Sequence, residues 1–265
     1  MDLTFSFKRV VPEHLLSKYQ FIETRNAAAV FAASNPKEFE DMLEVLDTFH
    51  VYDADLLIPG GNRGQIPTRL DTHFGELGFD PVRVNTQYKL IGERKKSATH
   101  RSVGEKFLES TVSNRGFEVD NFKGRVALDV EWNAKDGNLD RDLSAYRALY
   151  DHGLIDVGVI ITRVHDIRNL ALDELNSADG YRRLSTSTTT NTEKLEQRMT
   201  RGDSGGCPVL AVGIGKEAWA GKDVPRPGEE HLSVTDLIEQ YQARKSAKDR
   251  VPGSPIDLEE LGDEA

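Results

Sequence analysis

Two short apolar runs flanking an amphipathic stretch constrain this chain most. "RVALDVEW" (Arg125–Trp132) and "LIDVGVIITR" (Leu154–Arg163) have the length and β-branched content of strands, and between them Leu143, Tyr146, Leu149 and Tyr150 fall on one face of a helix spanning Leu139 to Tyr150. A strand that returns through a helix to another strand implies a mixed sheet with helices packed against it. "GFEVDNF" precedes the turn residues Lys123-Gly124 and predicts an antiparallel neighbour for "RVALDVEW"; "CPVLAVGIG" predicts a further core strand. Residues 36–50 carry Phe39, Met42, Leu43, Leu46 and Phe49 at spacings of three and four, a helix after a proline start. Val103 to Ser110 permits another helix. Asn191 or Thr192 can cap a short helix over Glu193 to Met199, and the prolines and glycines of "IPGGNRGQIPTR" (Ile58–Arg69) predict a loop.

A chain of 265 residues buries a sizeable core, and one main domain with long excursions is expected. No apolar run approaches the roughly 20 residues of a membrane span, and no basic start followed by an apolar stretch marks a secretory signal, so a cytoplasmic location without membrane attachment is expected. Cys207 is the single cysteine, which excludes an intrachain disulfide and a four-thiolate metal site within one chain. The net charge of −10 argues against nonspecific nucleic-acid binding by the protein as a whole. Charge is nevertheless uneven. Between Pro81 and Arg115 eight Lys/Arg face three acids, whereas residues 256–265 form an acidic tail.

The chemistry concentrates in "VDNFKGRVALDVEWNAKD" (Val119–Asp136). Residues two apart on a strand share a face, so Asp129 and Glu131 point one way and Val130 the other. Pairing through the Lys123-Gly124 turn can bring Asp120 beside Asp129. Carboxylates grouped in this way suit Mg²⁺, a hard cation that prefers oxygen ligands, with the Val130 carbonyl as an additional ligand. Such a metal makes hydroxide available and neutralises charge on a scissile phosphate, while a nearby carboxylate orients the water or takes its proton. Plain surface carboxylates on a strand edge are the alternative.

The same segment resembles the active site of the BglII/BstYI-type restriction endonucleases, a branch of the PD-(D/E)xK nucleases. There an Asp is followed nine residues later by an acid, a hydrophobic residue and a Glu or Gln in place of the usual Lys. Here these positions are Asp120, Asp129, Val130 and Glu131; a carboxylate at the last position also resembles the BamHI-like arrangement. The likeness continues through "DRDLSAYRALYDHGLIDVGVIITR" and "STSTTT…RGDSGGCPVLAVGIG", roughly residues 100 to 216. It implies an α/β, restriction-endonuclease-like mixed β-sheet flanked by helices, with residues 1–255 as a single nuclease domain carrying DNA-recognition excursions. It implies catalysis by Asp120, Asp129 and Glu131, with Mg²⁺ held by Asp120, Asp129 and Val130. The implied enzyme is a type II homodimer cutting double-stranded DNA at a short palindrome, GATC-centred in related enzymes, with 5′ overhangs. A cognate DNA methyltransferase would protect the host DNA. A catalytically inactive, sequence-specific DNA-binding protein is the competing expectation.

Candidate DNA contacts are Arg63 and Arg69 in the glycine-rich loop, Lys95 and Lys96 in the basic stretch, and Asn133 and Lys135 beside the carboxylates. Ser187, Thr188 and Thr189 in the hydroxyl-rich loop, and nearby Arg201, complete the set. Each is also consistent with a solvated surface residue. Glu105 is a weaker candidate for the metal site. "GDSGG" (Gly202–Gly206) resembles a serine-protease nucleophile segment around Ser204, but the strong helices contradict an all-β protease, and a tight glycine bend explains the same letters.

Overall fold

The computed structural model describes residues 1–58, 64–95, 104, 106–228 and 232–249, with no side chains for 244–249. The strands β1 (Leu3–Thr4), β2 (Tyr19–Thr24), β3 (Asp80–Glu93), β4 (Lys106–Lys123), β5 (Val126–Glu131), β6 (Val157–Arg163) and β7 (Val209–Ile214) form one sheet. Its order is β1-β2-β7-β6-β5-β4-β3. The central strands β5, β6 and β7 run parallel, and the remaining pairs are antiparallel. The helix Gly137–Asp151 is the crossover from β5 to β6, as the strand–helix–strand pattern predicts. The architecture is the α/β, restriction-endonuclease-like mixed sheet flanked by helices.

All six β5 residues and all seven β6 residues are buried, as continuous apolar runs covered on both faces require. Val126, Leu128 and Val130 enter the larger core with the helices Pro36–Thr48 and Gln65–Glu76. Ala127 faces the opposite core, which the helices Gly137–Asp151 and Thr192–Arg201 complete through Leu139, Leu143, Tyr146, Leu195 and Met199. The odd-numbered residues of β5 therefore point toward the crossover helix. Asn191 caps the helix Thr192–Arg201 by accepting the Lys194 amide at 3.0 Å.

From Lys106 onward the expected helix Val103 to Ser110 is instead the start of β4; Val103 and Glu105 lie outside the described residues. Register explains the difference. Thr111, Ser110 and Glu109 pair with Lys89, Leu90 and Ile91 of β3, and this ladder outweighs a weak local helical pattern. Phe107 and Leu108 are consequently exposed rather than turned inward. The expected loop Ile58–Arg69 also ends early, because Gln65 begins the helix Gln65–Glu76. Pro67 falls in its first turn, where a missing N–H leaves no intrahelical bond unmade.

Candidate active site

The site sits at the carboxyl end of β5. β4 and β5 meet through Asn121↔Leu128, Phe122↔Ala127 and Lys123↔Val126, with a two-residue connection in which Gly124 takes φ +57°. On its other edge β4 is irregular. Asp80↔Phe122 is followed by Val82↔Val119, so two β3 steps oppose three β4 steps, and the extra residue falls at Asp120–Asn121. A bulge of this kind re-aims side chains and commonly borders active sites. Asn121 turns to donate to Asp71 of the helix Gln65–Glu76 at 2.7 Å. The Asp120 amide donates to Asp129 Oδ1 at 2.9 Å.

Asp129 and Glu131 are buried on the face toward the crossover helix, and Asp120 is exposed above them. A single stripe of that helix meets the pair. Asn138 Nδ2 approaches the Glu131 carboxylate at 3.3 and 3.4 Å, and Tyr146 Oη lies 2.7 Å from Asp129 Oδ2. Asp142, buried between them in sequence, follows the same spacing of four residues. Arg141 at the rim stands 3.9 Å from Glu131 Oε1 and 3.4 Å from Asp142 Oδ1.

Burial dominates the electrostatics. It raises Asp129 to about 7, despite the Asp120 amide and Tyr146 hydroxyl, and the charges of Asp120 and Glu131 add to the rise. Burial raises Glu131 as well, opposed by Asn138 and Asp142. Asp142 is pushed up to about 9 by burial, then by Asp129 and Glu131. The geometry agrees. Tyr146 Oη is 2.7 Å from both Asp129 Oδ2 and the Val159 carbonyl, yet it has one proton to give. Both contacts are satisfied when Asp129 holds a proton of its own.

These carboxyls make stability fall with pH. A carboxyl raised in the folded state contributes stability that is complete below the ordinary carboxylate range and is lost as pH climbs toward the folded value. In EDTA, Asp142→Asn is expected to raise Tm by several degrees at about pH 8, with the gain vanishing near pH 4. Thermal melts across that range check it; a variant melting below wild type at the higher pH contradicts the burial argument.

Asp71, Asp120, Val130, Glu131, Asn138 and Arg141 line a cleft of about 370 Å³. The available donors are carboxylate and carbonyl oxygens, the chemistry that suits a hard divalent cation. Glu131 O accepts from the Thr162 and Thr190 hydroxyls at 2.7 and 2.9 Å on the β6 side. Strand alternation turns the Val130 carbonyl the other way, toward β4. Among the described residues, no three His, Cys, Asp or Glu side chains already stand close enough to hold a metal ion. The fit is thus one of donor type, with Asp120 on the exposed side and Asp129 and Glu131 below it.

The structure gathers some of the expected DNA contacts and disperses others. Asn133, with φ +54°, lines the same cleft. Exposed Lys135 bridges Thr189, and the Asp136 amide donates to the Thr188 carbonyl at 2.8 Å, so Ser187, Thr188 and Thr189 are held against the segment that follows the cleft-lining Asn133 and Ala134. Lys194 fastens this loop through Asp136 Oδ2 and the Thr189 carbonyl, both at 2.9 Å. Arg201 is drawn to Asp203 at 3.0 Å. Arg69 turns inward, bonded to Asp55 at 2.6 Å and stacked over Phe49 and Tyr52. Lys95 is exposed beyond the end of β3, far along the ribbon from Asp120. Arg63, Lys96 and Glu105 lie outside the described residues. Ser204 is buried, with its hydroxyl 3.3 Å from the Cys207 carbonyl; Gly202 and Gly205 take φ +92° and +57°, the tight bend expected of "GDSGG".

The sequence pattern alone does not place Asn138, Asp142 and Asp71 beside the site, and it gives Tyr146 a core position only. The signal for the helix residues was present: Asn138, Asp142 and Tyr146 recur at every fourth position on a face otherwise made by Leu139 and Leu143. Polar groups on a buried helical face need buried partners.

No curated protein matches the chain. The family model described as restriction endonuclease BglII/BglIII matches residues 19–214, a span that runs from the start of β2 to the end of β7 and contains every described site residue named above. The chain belongs to the BglII/BglIII restriction endonuclease family, a family of DNA-cleaving enzymes.

Proposed function

We propose that the protein is a Mg²⁺-dependent type II restriction endonuclease acting as a homodimer on a short palindrome in double-stranded DNA. The palindrome is GATC-centred by resemblance, cleavage leaves 5′ overhangs, and a cognate methyltransferase protects the host sites. The observation that carries this reading is the pair Asp129 and Glu131, buried on one face at the end of β5, with the Asp120 amide on Asp129 Oδ1. Asp120, Asp129 and the Val130 carbonyl would hold Mg²⁺. When bound, the cation supplies charge neutralisation at the scissile phosphate and a more acidic water.

The chain's own groups do the rest. Glu131 accepts a proton from the attacking water and orients it. Asn138 fixes the Glu131 carboxylate from the crossover helix, and Asp142 keeps its proton at working pH and so adds no further negative charge beneath the phosphate. Tyr146 holds Asp129 from below. Asn133, Lys135 and the hydroxyls of Ser187, Thr188 and Thr189 lie beside the cleft, where duplex DNA approaches. A two-fold dimer matches a palindrome because each subunit meets an equivalent half-site.

Digestion of unmethylated plasmid DNA tests the reading. Discrete fragments that require Mg²⁺, vanish with EDTA and carry identical sequenced ends are expected. Intact DNA, despite binding to a duplex that contains the site, would favour a DNA-binding protein without catalysis.

A further inference from the structure

Arg163 ends β6, one position beyond Thr162, which pairs with Glu131. Its side chain is among the largest wholly buried ones, on the face shared with Val157, Val159 and Ile161. Nη2 donates to Thr189 Oγ1 at 2.9 Å, whereas Nε and Nη1 have no hydrogen-bond partner among the described residues. Arg163 also makes no ion pair with a described carboxylate. A buried guanidinium in this condition destabilises the fold unless something answers its charge.

The surroundings add donors instead of acceptors. Half-buried Arg168 lies over the Tyr181 ring and directs Nη1 at His165 Nε2, and its Nε is buried without a hydrogen-bond partner among the described residues. Asn191 Oδ1 is occupied by the Lys194 amide, which leaves the amide nitrogen Nδ2 facing His165 Nδ1 at 3.4 Å. A neutral imidazole accepts at one nitrogen only, so one of these contacts sets donor against donor. Burial and the charges of Arg168 and Arg163 depress the His165 pKa; Glu193 opposes them and Lys194 reinforces them. Over the cluster, Thr186 and Thr189 bring two hydroxyl oxygens 2.9 Å apart, and Thr186 is exposed.

We propose that Arg163, His165 and Arg168, with Thr186 and Thr189 at the opening, form a binding site for a phosphate group, filled in function by a backbone phosphodiester of duplex DNA. The ligand's chemistry follows from the excess of hydrogen-bond donors, the buried positive charge and the hydroxyl rim. The choice of DNA rests on the endonuclease reading and on position: the site lies at the end of the strand beside β5, under the loop that also borders the carboxylate cleft. His165, Arg168 and the threonines touch the phosphate, and Arg163 contributes charge from behind while holding Thr189.

Two measurements in EDTA test the site without reference to cleavage. The first is anisotropy of a labelled duplex of about 20 base pairs against salt concentration, for wild type and Arg168→Ala. Loss of one phosphate contact is expected to lower the slope of log K against log salt by about 0.9. The second is thermal melting with inorganic phosphate against chloride of equal ionic strength. Phosphate is expected to raise the wild-type Tm more than chloride does, and to lose this advantage in Arg163→Met.

Without phosphate, Arg163→Met is expected to melt no lower than wild type, because it removes an unanswered buried charge. If that variant does not fold, Arg168→Ala carries both assays. A phosphate-specific shift with an unchanged duplex slope overturns DNA as the source and leaves free phosphate as the ligand. An unchanged slope together with no phosphate-specific shift overturns the site. A chain that never cuts DNA but shows both effects retains the site and loses the nuclease reading; one that cuts while showing neither does the reverse.

Discussion

Asp129→Asn is expected to abolish DNA cleavage while leaving the fold as stable as before, or more stable at alkaline pH. The local hydrogen bonding explains why the two effects separate. An asparagine here keeps its carbonyl oxygen for the Asp120 amide, 2.9 Å from Asp129 Oδ1. Its amide donates to Tyr146 Oη, which remains free to give its proton to the Val159 carbonyl at 2.7 Å. What disappears is the negative charge. Removing it relieves a carboxyl that burial raises to about 7 and eases the repulsion felt by Glu131 and Asp142. It also removes a ligand from the proposed cation site, for which a fall of at least about 10³-fold in the single-turnover rate is expected. Melting curves at pH 8 in EDTA and single-turnover digestion at saturating enzyme make the comparison. Cleavage within tenfold of wild type by a folded Asp129→Asn protein would remove Asp129 from the chemistry. A large loss of stability would assign it a structural role instead. This pattern, in which function requires a charge that the fold would be better without, is the usual stability–activity conflict at a catalytic centre.

How far the sequence disclosed the site depends on whether neighbours lie along one periodic element or across the fold. The face shared by Asp129 and Glu131 follows from strand alternation, and the turn at Lys123-Gly124 was enough to place Asp120 nearby. The crossover helix was equally readable from Leu143, Tyr146 and Leu149. Its polar stripe of Asn138, Asp142 and Tyr146 obeys the same period, but the apolar Leu139, Leu143 and Leu149 dominate the face and mask it in the sequence. Asp71 could not be reached in this way. It stands on a helix separated from β4 by the whole β3 strand and meets the site through Asn121, a contact created by the bulge at Asp120–Asn121. No local pattern announces a bulge whose partner strand lies far away in sequence. The strand from Lys106 failed for a related reason: its conformation is set by pairing with β3, and the expected helix had only three apolar residues on one side to support it. Arg163 closes the apolar run of β6, and only burial distinguishes it from an ordinary solvated arginine.

Gly158→Ala is expected to be among the most destabilising single-methyl additions in the protein. A Cβ at Gly158 would stand 2.1 Å from Tyr146 Cδ2 and within 2.7 Å of two more ring atoms. That ring has no simple retreat. Tyr146 is wholly buried and anchored at both ends, by its helical backbone and by the hydroxyl contacts to Asp129 and the Val159 carbonyl. β6 cannot yield either, since it is hydrogen-bonded to parallel strands on both sides. Relief must come from lifting the crossover helix off the sheet, which also withdraws Asn138 and Asp142 from Glu131. Overpacking of a close-packed core costs about 1–3 kcal/mol, and a contact this short places Gly158→Ala at or above the upper end, a Tm loss of roughly 6–12 °C for a chain of this size. Denaturant titration and melting measure the loss, and digestion reports the accompanying fall in activity. The decisive comparison is the double variant Gly158→Ala with Tyr146→Leu. If the methyl–ring collision is the cause, the double variant is more stable than the sum of the two single losses predicts, by about 1 kcal/mol or more. Additive losses would place the cause in the glycine's backbone and leave Tyr146 free to move, in which case no rigid helix face holds both Asp129 and Glu131 in place.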